Sequence, residues 1–300
     1  MRMDLRIARP KAPAGLRADG VARRGAASVQ ASPGQARGKH RSDLHALRAA
    51  RQHTDSYQSE FAEGPYYGGA VTETKQYPQT FFQPDPGACQ ILLVRHGQSA
   101  PFVEGTPFPL VDGQGDPPLS PLGEWQADQV GARLATEPIE AIYATSLQRT
   151  RQTAAPLAAH LDLPIAVEPD LREVHLGVGE GGLFRKMSAE GHPSTVAMRA
   201  NREWGEVEGA ESNAQFAGRT VPALQRLAAA HADQLIAVFV HGGTIGSLLG
   251  HALGVNMFNL MGSRNSAISH LVVNGDAWTV RSFNDGAHAG PLTADAEPPT

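Results

Sequence analysis

Arg95 and His96 stand side by side at the end of the apolar run Ile91-Leu92-Leu93-Val94. Arg149 lies a few residues beyond the run Ala141–Ala144, and His241-Gly242-Gly243 directly follows Ile236–Val240. Glu173 comes shortly after Ile165–Val167. Two arginines, two histidines and a carboxyl group therefore sit behind four separate apolar runs. Arginine offers a planar fork of donors that matches phosphate oxygens, with a charge that neutral pH does not remove. Backbone N–H groups at a glycine-opened helix start face an anion without a side chain in the way. A neutral imidazole among such cations can attack phosphorus, because they offset the charge that repels a nucleophile. A carboxylic acid can then protonate the leaving oxygen. Gln98 and Ser99, in the loop after His96, are candidate substrate contacts beside Arg95, Arg149, His241 and Gly242.

Such residues converge only if the apolar runs are neighbouring strands, and the pattern between them supports this. Residues 90–94, 140–144, 164–169 and 234–240 read as strands. Residues 120–135 read as a helix with Ser120 as N-cap, Pro121 at its first position and Leu122, Val130 and Leu134 on one face. Residues 147–161 form a second helix behind the N-cap candidate Ser146, kinked or shortened by Pro156. Residues 213–232, despite Pro222, and 243–254 are two more. A closing hairpin turns at Asn274-Gly275 between 267–273 and 277–283. Strands alternating with helices predict an α/β fold with a mostly parallel sheet. In such sheets ligands gather at the carboxyl ends of the strands, where the five residues fall.

Composition bounds the setting. The 300 residues carry a net charge of −4 and 41% hydrophobic residues, enough for a substantial core. No run reaches the roughly 18 apolar residues of a membrane span, and no secretory signal pattern is present, so no membrane partner is expected. The only cysteine is Cys89, which fits a reducing cytoplasm. Residues 1–53 hold 12 Lys and Arg against 3 Asp and Glu, whereas the remainder holds 14 against 27. This basic stretch lacks apolar periodicity and reads as a disordered extension. It has no aromatic residues or repeated basic motif, which argues against a nucleic-acid arm. Residues 54–87 form an aromatic-rich lead-in, part of it expected to pack on the body, 88–288 the catalytic domain and 289–300 a disordered tail. The composition turns ordinary near Val71, where a natural start is expected.

The motifs "LVRHGQS", "DPPLSPLGEWQA", "SLQRTRQTA", "LREVHLG", "GAES" and "VHGGT" occur in the order seen in the histidine phosphatase superfamily, the phosphoglycerate-mutase-like family. The resemblance runs from about Gln90 to about His288. It implies a three-layer α/β sandwich and His96 as the nucleophile that becomes phosphohistidine. It also implies a phosphate pocket of Arg95, Arg149 and His241, and Glu173 as acid and then base. No metal or cofactor is implied. The partner is a small phosphorylated metabolite, and the oligomeric state is open, a homodimer included.

Departures from the mutase pattern favour hydrolysis. The mutases carry "ERHYG" where this chain has Glu173-Val174-His175-Leu176-Gly177, and "HGN" where it has His241-Gly242-Gly243. Phe102 replaces an asparagine six residues after the nucleophile, and the segment from Glu173 to "GAES" is short. The expectation is a metal-independent phosphomonoester hydrolase with an acidic optimum, its substrate chosen by loops around 100–115 and 178–210. A mutase and a catalytically silent phospho-ligand binder are the alternatives. A serine hydrolase is rejected because Pro101 stands where the nucleophile elbow needs glycine and the "HGG" segment follows the serine. A metal hydrolase is rejected because Arg95 and Arg149 repel a cation and no HExxH occurs.

The remaining polar residues have plainer roles. His175 reads as a structural hydrogen bonder and Glu211 as a helix-start or supporting residue. His160, His231, His251 and His270 read as structural or solvated, and His288 as closing the C-terminal segment. Arg185 and Lys186 read as solvated charges.

Overall fold

A computed structural model describes residues 77–290; the basic stretch 1–53, Val71, most of the aromatic lead-in and residues 291–300 lie outside the described part. The strands are β1 (Cys89–Arg95), β2 (Leu110–Val111), β3 (Gln114–Gly115), β4 (Ile139–Ala144), β5 (Ile165–Val167), β6 (Leu235–Val240), β7 (Ile268–Asn274) and β8 (Ala277–Asp285). The helices are α1 (Pro121–Leu134), α2 (Gln148–Leu161), α3 (Leu183–Ala189), α4 (Pro193–Asn201), α5 (Asn213–Ala230) and α6 (Gly242–Leu253). Six strands form one sheet in the order β5-β4-β6-β1-β7-β8. The first three pairings are parallel and the last two antiparallel.

Strand alternation sends successive side chains to opposite faces, and each face buries its own core. On one face Ile91, Leu93, Ile236 and Val238 pack with Leu224, Leu227, Ile245 and Leu248 of α5 and α6. On the other, Leu92, Val94, Ala237 and Phe239 pack with Val130, Leu134, Ala154 and Leu157 of α1 and α2. Because β1 and β6 are covered on both sides, they read as unbroken apolar runs rather than as alternation. A third cluster, built on Val174, Phe184, Met198, Trp204 and Phe216, holds the segment between β5 and α5.

The helix starts explain the connections to the site. Ser120 caps α1 by accepting from Gly123 N–H at 3.1 Å, with Pro121 as the first helical residue. Leu122 is exposed, so the buried face of α1 is carried by Val130 and Leu134 without it. Ser146 is not the cap of α2: Leu147 holds that position, and the Ser146 hydroxyl is buried with no hydrogen-bond partner among the described residues. Pro156 does not shorten α2, which continues to Leu161 and ends on left-handed Asp162. Pro156 removes one N–H from the helix, and Ala154 and Leu157 beside it are buried in the core. Ser212 and Gln215 form a reciprocal capping box at the start of α5. In the lead-in, Tyr77 and Phe81 are exposed, whereas Arg281 lies over the Phe82 ring at 3.7 Å.

Candidate active site

Arg95 ends β1 and His96 follows it, held by a bond from its own N–H to Val240 O and by Asn265 Nδ2 donating to its carbonyl at 2.9 Å. The next two residues pass so close to the start of α1 that a Cβ on Gly97 would overlap Gly123 O, and one on Gly123 would overlap Gln98 O. Only glycine at both positions lets the loop and the helix touch. His96 Nδ1 lies 2.7 Å from Gly97 O. A carbonyl can only accept, so Nδ1 carries the proton and Nε2 keeps its lone pair. Burial, followed by Arg149 and Arg95, holds His96 well below the ordinary histidine range, so it is neutral at neutral pH.

His241 follows β6 as the residue before α6 and is fully buried. Its ring meets that of His96 edge to face, with centroids 5.2 Å apart. Its Nε2 lies 3.0 Å from Thr145 Oγ1, while its Nδ1 has no hydrogen-bond partner among the described residues. Burial, with Arg149 next in size, also keeps His241 neutral. Arg149, in the first turn of α2, is nearly buried and donates to Gly115 O at 3.0 Å. Burial lowers its pKa to about 10 against the pull of Glu173 and Asp116, which leaves it cationic at neutral pH. Arg95 donates to Ser263 O, and its guanidinium packs against Gly242, where a Cβ would stand 3.4 Å from Nε.

Glu173 arrives on a loop without regular structure. Val174 N–H donates to its Oε1 and Gly243 N–H to its Oε2, both at 3.0 Å. The glycine pair that opens α6 therefore serves two partners: Gly242 gives room to Arg95, and Gly243 gives its N–H to the carboxyl group.

His96, Arg149, Glu173 and Ser99 line one open cleft. Arg95, His241 and Gly242 do not line the cleft: the His241 ring lies against that of His96, and Gly242 lies against the Arg95 guanidinium. Gln98 does not line the cleft, because Ser120 Oγ donates to its Oε1 at 2.7 Å and turns the side chain to the start of α1. Arg185 is not a solvated charge: it lines the cleft, donates to Ala100 O and Ser99 Oγ at 2.7 Å each, and stacks over Phe108. Lys186 pairs instead with Glu104 at the surface. Phe108, Val174, Leu176, Phe184 and Trp204 form the apolar wall. Gln114 and Glu180 were absent from the sequence reading and both line the cleft. Gln114 Nε2 donates to Glu173 O at 2.6 Å, and Glu180 accepts from Gly115 and Leu176 N–H. Neither stands in a pattern that spacing would single out. His175, as expected, is a structural partner, its Nδ1 accepting from Gly177 N–H.

A model of the histidine phosphatase superfamily (branch 1) matches residues 91–286. The chain belongs to that superfamily. With it comes membership of the phosphoric monoester hydrolases, as the order of motifs around Arg95, His96 and His241 implied. The chain is 30% identical over 223 residues to phosphoglycerate mutase-like protein 4 of Arabidopsis thaliana, covering 69% of this chain and 90% of the relative. It is also 30% identical to a metal-independent phosphoserine phosphatase of Arabidopsis thaliana, over 66% of this chain and 82% of that one. Among solved structures, a mycobacterial glucosyl-3-phosphoglycerate phosphatase complexed with VO3 is 27% identical, with a TM-score of 0.57 over 65% of this chain and 99% of that one. The three-layer sandwich is thus that of the superfamily. Among the described residues no group of three or more His, Cys, Asp or Glu is placed to hold a metal ion, and no helix is long and apolar enough to cross a membrane.

Proposed function

We propose that residues 88–288 form a catalytic unit that hydrolyses a small phosphomonoester in two steps through phospho-His96. The observation that carries this reading is the fixed tautomer of His96, whose unprotonated Nε2 belongs to the ring that lines the cleft with Arg149 and Glu173. Nε2 attacks phosphorus, the N–P bond forms, and the P–O ester bond breaks. The leaving oxygen takes a proton from the Glu173 carboxyl group and departs as an alcohol. Water then gives a proton to the Glu173 carboxylate, its oxygen bonds to phosphorus, and the N–P bond breaks. Inorganic phosphate leaves and His96 is neutral again. Arg95 and Arg149 stabilise the charge on the equatorial oxygens, and the otherwise unpartnered Nδ1 of His241 is free to donate to one of them.

The leaving group occupies the apolar wall and the neighbourhood of Arg185. Burial, followed by Arg95, lowers the Arg185 pKa, and no carboxylate pairs with it among the described residues. A substrate bearing a second anion, such as a carboxylate, supplies that partner. Phosphoserine and glucosyl-3-phosphoglycerate, the compounds for which two relatives are named, both carry one. Hydrolysis is favoured over transfer because Val174 and Leu176 line the cleft where the mutase pattern has an arginine and a tyrosine. The names of six relatives favour the mutase reading. Phosphate release over a panel of phosphomonoesters, metal-free, with His96→Ala beside wild type, tests the proposal. Release by wild type alone is expected. No release from any ester, with phosphoryl transfer between phosphoglycerates, replaces it with the mutase.

A further inference from the structure

We infer that Arg219 and Glu211, on and just before α5, are positioning residues that set the aim of Glu173; this rests on Glu173 being the proton donor proposed above. Neither lines the cleft. Arginine has five N–H donors in a rigid fork, and Arg219 spends all five. Its Nε and one terminal nitrogen grip the two Glu211 oxygens at 2.7 Å each. Its remaining donors go to the backbone carbonyls of Asp170 and Arg172 at 2.8 Å and of Glu173 at 2.6 Å. Glu211 closes the frame by accepting from His175 N–H at 2.8 Å. Burial pushes the Glu211 carboxyl up, but the hydrogen bonds from Arg219 and His175 outweigh it and hold the group below its ordinary value. Glu211 is therefore held as the carboxylate, and the Arg219 guanidinium is braced over the Phe216 ring at 4.8 Å.

The bonds bracket Glu173. The segment 170–175 has only a short 3-10 turn at its start, so side chains must satisfy carbonyls that a helix or strand would satisfy. Thr244 Oγ1 adds bonds to Leu171 and Arg172 carbonyls, and Gln114 a second bond to Glu173 O. Among the described residues, only the Arg219–Glu211 pair reaches both sides of residue 173. A general acid must lie within hydrogen-bond reach of the leaving oxygen, and fixing its backbone on both sides places it there.

The test compares Arg219→Gln, Arg219→Lys and Glu211→Gln with wild type on p-nitrophenyl phosphate and on an alkyl phosphate. The quantity read is kcat/KM, which ends at phosphoryl transfer to His96. A good leaving group needs no acid, so kcat/KM for p-nitrophenyl phosphate should stay within about twofold in Arg219→Gln. For the alkyl ester it should fall on the order of tenfold or more. In a Glu173→Gln background the same change at Arg219 should cost nothing further, because both act through one group. Arg219→Lys, which keeps charge but not the fork, should lie between. Equal losses on both substrates, or additive losses with Glu173→Gln, would overturn the inference as a general folding effect. Hydrogen exchange over 169–177 is read alongside, independent of turnover. Faster exchange there in Arg219→Gln is expected, and unchanged exchange contradicts the positioning role. A wild type that turns over neither ester while this segment loosens in the variant refutes the hydrolase and leaves the clamp standing.

Discussion

Gly243 N–H donates to Glu173 Oε2 at 3.0 Å, joining the first turn of α6 to a loop seventy residues earlier in the chain. The bond needs glycine at 243, because a Cβ there would overlap Glu173 Oε1. Gly243→Ala should therefore displace the carboxyl group while leaving the helix intact, since alanine suits helices better than glycine. We expect kcat/KM on an alkyl phosphate to fall on the order of tenfold or more. Circular dichroism should be unchanged. Activity equal to wild type would mean that the Glu173 position seen here is unimportant.

Glu173→Gln keeps the shape of the side chain but cannot donate a proton to the leaving oxygen and keep the acid–base cycle. Turnover of a poor leaving group should fall far more than turnover of p-nitrophenyl phosphate. A near-wild-type rate on the poor leaving group removes Glu173 as the acid.

Under the proposed mechanism, Arg149→Ala removes a buried cation that lines the cleft and stabilises the transferring phosphoryl group. Loss of one preorganised donor of this kind costs on the order of a hundredfold or more in rate. Steady-state kinetics at saturating substrate measure it. A loss confined to KM would make Arg149 a binding group rather than a transition-state one.

Protonation couples to both rate and stability. His96 and His241 are held neutral by burial first and by neighbouring arginines second. The unprotonated nucleophile should thus persist below the ordinary histidine value of about 6.5, and the acid limb of kcat/KM should lie lower still. For stability the unfolded chain binds more protons than the folded one below that value, so stability is full above it and declines as pH falls through it. Urea unfolding between roughly pH 5 and 8 measures the slope. An acid limb centred on the ordinary histidine value, or stability that rises on acidification, contradicts the buried neutral pair.

Much of this was legible in the sequence for identifiable reasons. β1 and β6 are covered on both faces, so each is an unbroken apolar run whose end marks the site. Ser120-Pro121 opens its helix by ordinary capping chemistry. Ser146 misled because a serine before a helical pattern resembles a cap, whereas the chain turns one residue later at Leu147. Arg185 looked solvated because it stands beside Lys186 in the sequence, whereas its place in the cleft depends on Phe108 and Ala100, far away in the chain. Gln98 looked like a ligand because it follows the nucleophile, but Ser120 claims its side chain. Arg219 gave no signal, since a helical arginine shows its partners only after a loop folds against it.

The central claim is that phosphorus passes through Nε2 of His96. Rapid quenching of the enzyme during turnover of a 32P-labelled substrate, followed by peptide mapping, tests it most directly. The account predicts an acid-labile, alkali-stable label on the peptide containing His96, absent in His96→Ala. Label on another residue, or wild-type turnover in His96→Ala, would contradict it.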